Sequence, residues 1–328
     1  MLATRFTELV GCSIPIQQAG LGRLANPELA AAVASVGGLG LVGIAGADPE
    51  WIARTLDETR ERAGDGGGAI GVNVLLPFVK PDEITECLRA AAAHAQVVDF
   101  FWGDPAPALV EIVHTGGALA SWQVGSVREA VAAAQAGCDF IIAQGVEAGG
   151  HVRGRTGLLA LLDQVLPAVD IPVLAAGGIG SGRAMAAALA AGAAGVRVGT
   201  RFVATPEAHA HPIYVQALIA AQPEDTVYTE AFGYGWEHAP HRVLRASLAA
   251  AEAFEGEVVG HLIARDGGKR TEFHRFQPLS ATDEVLGTVE AMPHWAGYSV
   301  GSVTRVQPAT EIVQELASEA ERLLRTWR

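Results

Sequence analysis

Eight short apolar runs recur along the chain, each followed by an alanine-rich stretch with helical spacing, and this alternation constrains the fold more than anything else. Residues 14–19, 39–44, 69–75, 97–102, 118–124, 140–143, 172–175 and 195–198 read as strands. The segments between them open with recognisable start signals. Asn26 stands before Pro27, and Asp48 before Pro49 and Glu50, so each can cap a helix whose first position is proline. Pro81-Asp82 opens another, Ser126-x-x-Glu129 reads as a capping box, and Ser181-Gly182 precedes the seventh. Eight strands at intervals of about 20 to 30 residues predict a (β/α)8 barrel. An open doubly wound sheet has fewer strands and an early glycine fingerprint. Here the strongest glycine cluster follows the seventh strand. Half the residues are apolar but only 6% aromatic, which suits small-residue helices packed on a parallel sheet.

The alternation lapses after the eighth strand. Helical pieces at 211–221 and 241–255 and a Gly/Arg-rich turn at 266–270 read as an inserted cap, and 311–325 as an amphipathic helix returning to the barrel. The expectation is an α/β protein: a TIM barrel over 1–202, completed by 294–328, with a smaller cap domain at 203–293.

A net charge of −13 argues against nucleic acid or an anionic membrane as partner, because both are polyanions. Cys12, Cys87 and Cys138 have no metal-ligand spacing and read as reduced thiols. The first ten residues lack the apolar core of a signal peptide, and the uncharged stretch 184–196 is too short to span a bilayer. A soluble, cytoplasmic protein is expected. His209-x-His211 and His238-x-x-His241 are joined by no cysteine or carboxylate cluster, so they read as structural or capping residues and no metal is expected.

Two loops carry an anion-binding signal. Ala175-Ala176-Gly177-Gly178 ends strand seven and Gly199-Thr200 ends strand eight. In a barrel these loops commonly hold phosphate on backbone N–H groups, and glycine lets the anion approach. Strand six runs into Gln144-Gly145-Val146-Glu147-Ala148-Gly149-Gly150-His151, where a histidine follows a glycine pair and can exchange a proton near neutral pH. A phosphorylated cofactor lying across the mouth would connect the two. Ala19, Gly20 and Leu21 after strand one, Asn73, Gln123 and Gln144 would line its path, and neutral amides suit a flavin pyrimidine edge.

These motifs resemble the nitronate monooxygenases over nearly the full chain. The resemblance rests on Ile14-Pro15-Ile16-Gln17-Gln18-Ala19, Gly71-Val72-Asn73, Ala143 to His151, Ala175 to Gly178 and Gly199-Thr200-Arg201-Phe202. Asp225-Thr226-Val227 and Ala239 to Arg245 add to it. Glu147-Ala148-Gly149-Gly150-His151 is shared with the flavin-dependent enoyl-acyl-carrier-protein reductases. The resemblance implies an FMN-bearing barrel with a smaller second domain and with Gly178, Gly199 and Thr200 at the phosphate; Gly177, in the same glycine loop, is a further cofactor-binding candidate. It implies Asn73, Gln144 and Gly149 at the ring or ribityl chain, and His151 as catalytic base. Three departures stand out: Ala19-Gly20-Leu21-Gly22 where many members have proline and methionine, Gln123 where some have lysine, and Tyr298 where glutamine is common. Without that lysine an anionic reduced flavin loses a stabilising cation.

The implied reaction is oxidation of a nitronate, or of a nitroalkane after proton loss to His151. Electrons pass to FMN, O2 is consumed, and a carbonyl compound and nitrite are released. Arg153, with Arg155, could attract the anion, and Tyr298 and Ser299 could shape the substrate pocket. The alternatives are an NAD(P)H-dependent enoyl-thioester reductase on the same scaffold and a non-catalytic flavin-binding barrel. Gly297-Tyr298-Ser299-Val300-Gly301 matches a nucleophile elbow, but no histidine follows it, so a hydrolase is not expected. An IMP-dehydrogenase-like activity would need a cysteine after strand six, where there is none. Homodimerisation is left open.

Overall fold

The computed structural model describes residues 2–44, 46–263 and 270–326. All eight expected strands form. They are β1 (Ile16–Gln18), β2 (Leu39–Gly43), β3 (Ala69–Leu75), β4 (Val97–Phe101), β5 (Leu119–Val124) and β6 (Phe140–Gln144), then, after a two-residue strand β7 (Gly150–His151), β8 (Val173–Ala176) and β9 (Gly195–Val198). β7 apart, they pair in parallel and close in the order β1-β2-β3-β4-β5-β6-β8-β9, with β9 returning to β1. A helix α1 (Arg5–Val10) precedes the barrel. The crossovers are α2 (Pro27–Ala34), α3 (Pro49–Ala63), α4 (Ile84–His94), α5 (Pro107–Thr115), α6 (Val127–Gln135), α7 (Leu158–Val165) and α8 (Gly182–Ala190).

Most start signals act as read. Asn26 Oδ1 accepts from the N–H groups of Glu28 and Leu29, Asp48 from Trp51, and Ser181 from Ala184. Two differ. The helix after Pro81-Asp82 begins only at Ile84, with Glu83 at the cap position. Ser126 caps α6 through the Glu129 N–H, but the Glu129 carboxylate accepts from Gly125 N–H at 2.7 Å and pairs with Arg153, so the reciprocal half of the box is absent.

Beyond β9 come α9 (Thr200–Val203), α10 (Pro212–Ala220), β10 (Thr226–Thr229), β11 (His241–Leu244), α11 (Arg245–Ala253), β12 (Val258–Ile263), β13 (Arg270–His274), β14 (Val285–Gly287) and α12 (Ala309–Arg325). They build two further three-stranded sheets, β10-β11-β7 and β13-β12-β14, which form a smaller additional domain. α12 packs on α8 and α2, filling the place of the eighth barrel helix. One expectation needs correction: 241–255 is not a single helix. His241–Leu244 is held as a strand by pairing with β10 on one side and β7 on the other, and only Arg245–Ala253 is helical. The turn at 266–270 lies, Arg270 excepted, outside the described residues. Among the described residues no helix is long and apolar enough to cross a membrane.

Strand alternation decides what fills the barrel. Leu39, Leu41, Ala69, Val97, Phe140, Ile142 and Leu174 form one apolar cluster with Phe6 and Val10 of α1, which closes the end where the strands begin. The intervening residues, such as Val42, Val72, Val98, Trp122 and Ile141, pack against the helices. Two residues further along the inward rows, the side chains become polar: Asn73, Asp99, Ser121, Gln123, Gln144 and Arg197, all buried.

Burial in the additional domain has a pH consequence. His294 is 3% exposed, donates to the Val289 carbonyl and stacks on Tyr214, and burial pushes its pKa from 6.5 to about 4. As pH falls through about 6.5 the unfolded chain takes up a proton that the folded protein refuses until about 4, so stability is lost across that window. The expected loss from this residue is about 3 kcal/mol. Urea midpoints at pH 7 and 4.5 would read it, and His294→Phe should flatten the slope; an unchanged slope would contradict the assignment.

Candidate active site

The C-terminal ends of all eight barrel strands open onto a cavity of about 410 Å³. Ala19, Gly20 and Leu21 follow β1, Gly43 ends β2, and Asn73, Phe101, Gln123 and Gln144 come from β3 to β6. Gly177 and Gly178 follow β8, and Gly199 and Thr200 follow β9; Gly149, His151 and Ser299 complete the predicted set that lines the cavity. Arg153 and Tyr298 do not line it. The Arg153 guanidinium lies 2.9 Å from Glu129, 3.3 Å from Asp104 and over the Trp102 ring. Tyr298 is exposed beneath the guanidinium of Arg242.

Hydrogen bonds fix the polarity of the three amides. Asn73 Nδ2 donates to Asp99 Oδ2 at 2.7 Å, which leaves Oδ1 as its acceptor. Gln144 Nε2 donates to the His151 carbonyl at 2.9 Å, and its Oε1 is buried without a partner. Gln123 is reversed: its Oε1 accepts from Arg197 Nη1, leaving the NH2 group to donate. A ligand edge that alternates donors and acceptors, as a flavin pyrimidine does, matches this set.

His151 sits in an aromatic enclosure. Its ring stacks on Trp236 at 3.9 Å, with Trp295 at 5.2 Å, His241 at 5.3 Å and Trp102 at 5.7 Å. Trp236 and Trp295 line the cavity beside Phe101. Trp102 holds a left-handed backbone at φ 63, a conformation costing a non-glycine residue about 1–3 kcal/mol. Burial, and then the repulsion a protonated His241 would exert, lowers the His151 pKa well below its ordinary value. His241 is itself fixed: Nδ1 donates to the Ala239 carbonyl and Nε2 accepts from Phe232 N–H. The His151 imidazole is therefore neutral at pH 7, and its Nε2 is buried with no hydrogen-bond partner.

The glycines divide by purpose. Gly177 and Gly178 have φ of 108 and 70, conformations that glycine adopts without strain, and they turn the chain beneath the cavity. Gly149 serves the protein: a Cβ there would lie 2.4 Å from Gly297 N, because residues 296–298 cross directly over it. That crossing is fastened by Gly297 N–H to Thr200 Oγ1 and Tyr298 N–H to the Glu147 carbonyl. Ser299 follows in a five-residue 3-10 turn, Tyr298–Ser302, which is not the strand–turn–helix of a nucleophile elbow.

The sequence reading gave no role to Asp99 and Arg197. The signal was there: one charge in each of two otherwise uncharged strands, V-V-D-F-F and G-V-R-V. Phe78, at the end of a 3-10 turn (Leu76–Phe78), and Leu279 and Ser280, in an irregular segment, also line the cavity and carry no such signature. Of the histidine pairs, His211 caps α10 and His209 contacts Glu28 and Asp283.

A barrel mouth with glycine loops after its last two strands and a neutral imidazole beside them suits a flavin-dependent oxidoreductase, the class to which the family match assigns the chain. The profile of the nitronate monooxygenase family matches residues 3–319, and the chain belongs to that family. It is 34% identical over 264 residues to a (3aS,4S,5R,7aS)-5-hydroxy-7a-methyl-1-oxo-octahydro-1H-indene-4-carboxyl-CoA dehydrogenase of Rhodococcus jostii, covering 80% of this chain and 71% of the relative. Among solved structures, FabK from Thermotoga maritima superposes with a TM-score of 0.79 at 29% identity, covering 100% of this chain and 99% of that one. Nitroalkane oxidase from Streptomyces ansochromogenes gives 0.76 at 28%, covering 99% and 100%.

Proposed function

We propose that the chain is an FMN enzyme that oxidises alkyl nitronates, and nitroalkanes after proton removal, to carbonyl compounds and nitrite with O2. The carrying observation is the buried, unpartnered Nε2 of a neutral His151 beside a cavity lined by both glycine loops. Gly177, Gly178, Gly199 and Thr200 would hold the phosphate; the Thr200 oxygen already accepts from Gly297 N–H, so its hydroxyl proton is free to donate. Asn73, Gln123, Gln144 and Gly149 would receive the ring system. Bound FMN would supply the redox chemistry, carrying electrons from the substrate to O2. His151 takes the α-proton of a neutral substrate, and the aromatic enclosure keeps water from that position. The cap at 203–293 roofs this cavity on a barrel of 1–202 completed by 294–328. Buried, unpaired thiols at Cys12, Cys87 and Cys138 suit a cytoplasmic setting.

A second reading has its own support. Phe78, Phe101, Trp236, Leu279 and Trp295 give the cavity more apolar wall than a small nitronate covers, and the Rhodococcus relative is named for a bulky CoA thioester. Thioester redox chemistry with a nicotinamide would use such a wall.

One set of measurements separates these. A yellow preparation that consumes O2 and releases nitrite with ethylnitronate or propionate 3-nitronate, and is not bleached by NADPH, is expected. Prompt bleaching without nitrite would favour the thioester reading. A colourless protein that refuses added FMN would remove both.

A further inference from the structure

The barrel interior holds an ion pair that the proposed chemistry has not used. Arg197 Nη2 lies 2.6 Å from Asp99 Oδ1, with the arginine 3% exposed and the aspartate fully buried. The other polar contacts are made by four further side chains. Arg197 Nε donates to Gln17 Oε1 at 3.0 Å and Nη1 to Gln123 Oε1; Asp99 accepts from Asn73 Nδ2 at 2.7 Å and Ser121 Oγ at 2.8 Å.

Three features argue that this is more than a structural pair. First, the pair is polarised. Arg197 lines the cavity and Asp99 does not, so the positive pole faces the ligand and the negative pole is turned away. Second, Arg197 Nη2, although at ion-pair distance from the carboxylate, makes no aligned hydrogen bond. Third, the pair sets both amides described above. Asp99 orients Asn73 to present an acceptor, and Arg197 orients Gln123 to present a donor. A buried ion pair gains little over apolar packing of equal volume, and the neighbouring interior is packed with Leu, Val, Ile and Phe.

We infer that Arg197 is a charge-setting and positioning residue for the cofactor: it turns the positive pole of the Arg197–Asp99 pair toward the flavin ring and favours the anionic, electron-rich form. Arg197 thereby supplies, from the eighth barrel strand, a cation bonded to Gln123 on the fifth. The inference rests on the flavin reading above.

The test uses the purified, flavin-loaded protein and four variants: Arg197→Gln, Arg197→Lys, Asp99→Asn and the double variant Asp99→Asn/Arg197→Gln. Two readouts need no substrate: the midpoint potential of the bound flavin and the dissociation constant for sulfite, whose flavin adduct is stabilised by nearby positive charge. Arg197→Gln and the double variant should bind sulfite about tenfold more weakly, and Asp99→Asn about tenfold more tightly. Lysine should restore much of the loss at position 197. For a two-electron couple a tenfold change in preference is about 30 mV, down for the first two and up for Asp99→Asn. The double variant leaves no orphaned charge and keeps the test readable if Arg197→Gln does not fold. Shifts of the same sign in Asp99→Asn and Arg197→Gln, or none in folded, yellow variants, would reduce the pair to a structural one. A colourless wild-type protein would instead overturn the flavin reading itself.

Discussion

His151→Asn is expected to keep its yellow flavin and to lose turnover of neutral nitroalkanes by about 10²–10⁴-fold. The reason lies in the enclosure. Three tryptophans and His241 crowd the ring, and Nε2 has no protein partner, so a substrate held in the cavity is the group left to pair with it. Preformed nitronates, which have already shed that proton, should lose much less. The pH profile gives an independent check. A base must be unprotonated to act, and burial lowers the His151 pKa well below its ordinary value. The acid limb of kcat/KM for nitroalkanes should therefore fall below pH 6.5, with activity flat through neutrality. A limb at or above 6.5 would mean that the ring is hydrated during turnover. Unchanged turnover in His151→Asn would remove the residue from this role.

Gly149→Ala and Gly199→Ala should fail in opposite ways. The methyl group at 149 would lie 2.4 Å from Gly297 N and 2.7 Å from Ala296 C, backbone atoms that cannot rotate aside. Overpacking of this kind costs about 1–3 kcal/mol or more, and here it also pries apart the Gly297–Thr200 and Tyr298–Glu147 hydrogen bonds. A fall of several degrees in melting temperature is expected, with flavin lost as a consequence. At 199 the nearest atoms are side-chain carbons of Ala19 and Leu21 at 3.5 and 3.7 Å, ordinary contacts. Gly199→Ala should melt near the wild-type temperature yet bind FMN about tenfold more weakly, because its methyl group occupies the approach to the phosphate amides. Thermal melts and FMN titration of the apoproteins distinguish the two. Equal destabilisation by both substitutions would contradict the division of labour among the glycines.

The barrel was legible in the sequence because its signals are local and repeated: an apolar run eight times over, with a start signal of proline, serine, asparagine or aspartate before five of the helices. The cavity lining was legible for the same reason, since strand ends followed by glycine or an amide mark themselves. What escaped depends on contacts distant in the chain. His241–Leu244 has the spacing of a helix start, and only its position between β10 and β7 makes it a strand. Arg153 looked like a cation poised beside the base, yet Glu129, whose carboxylate the capping-box pattern would spend on Ser126, holds it from a different barrel unit. Arg197 and Asp99 stand nearly a hundred residues apart and meet only when the barrel closes.

The two-residue strand β7 ties the loop that carries His151 to the additional domain. Gly150 and His151 pair with Arg242 and His241, Val152 N–H donates to the Pro240 carbonyl, and Arg242 donates twice to the Val146 carbonyl. His151 and the segment paired with it are thus stitched into one ribbon, so the additional domain is not an interchangeable module. A chimera that borrowed only residues 203–293 from a relative would inherit a mis-aimed imidazole. Grafting a new substrate preference onto this barrel would require transplanting 145–153 together with that domain, as a single cassette.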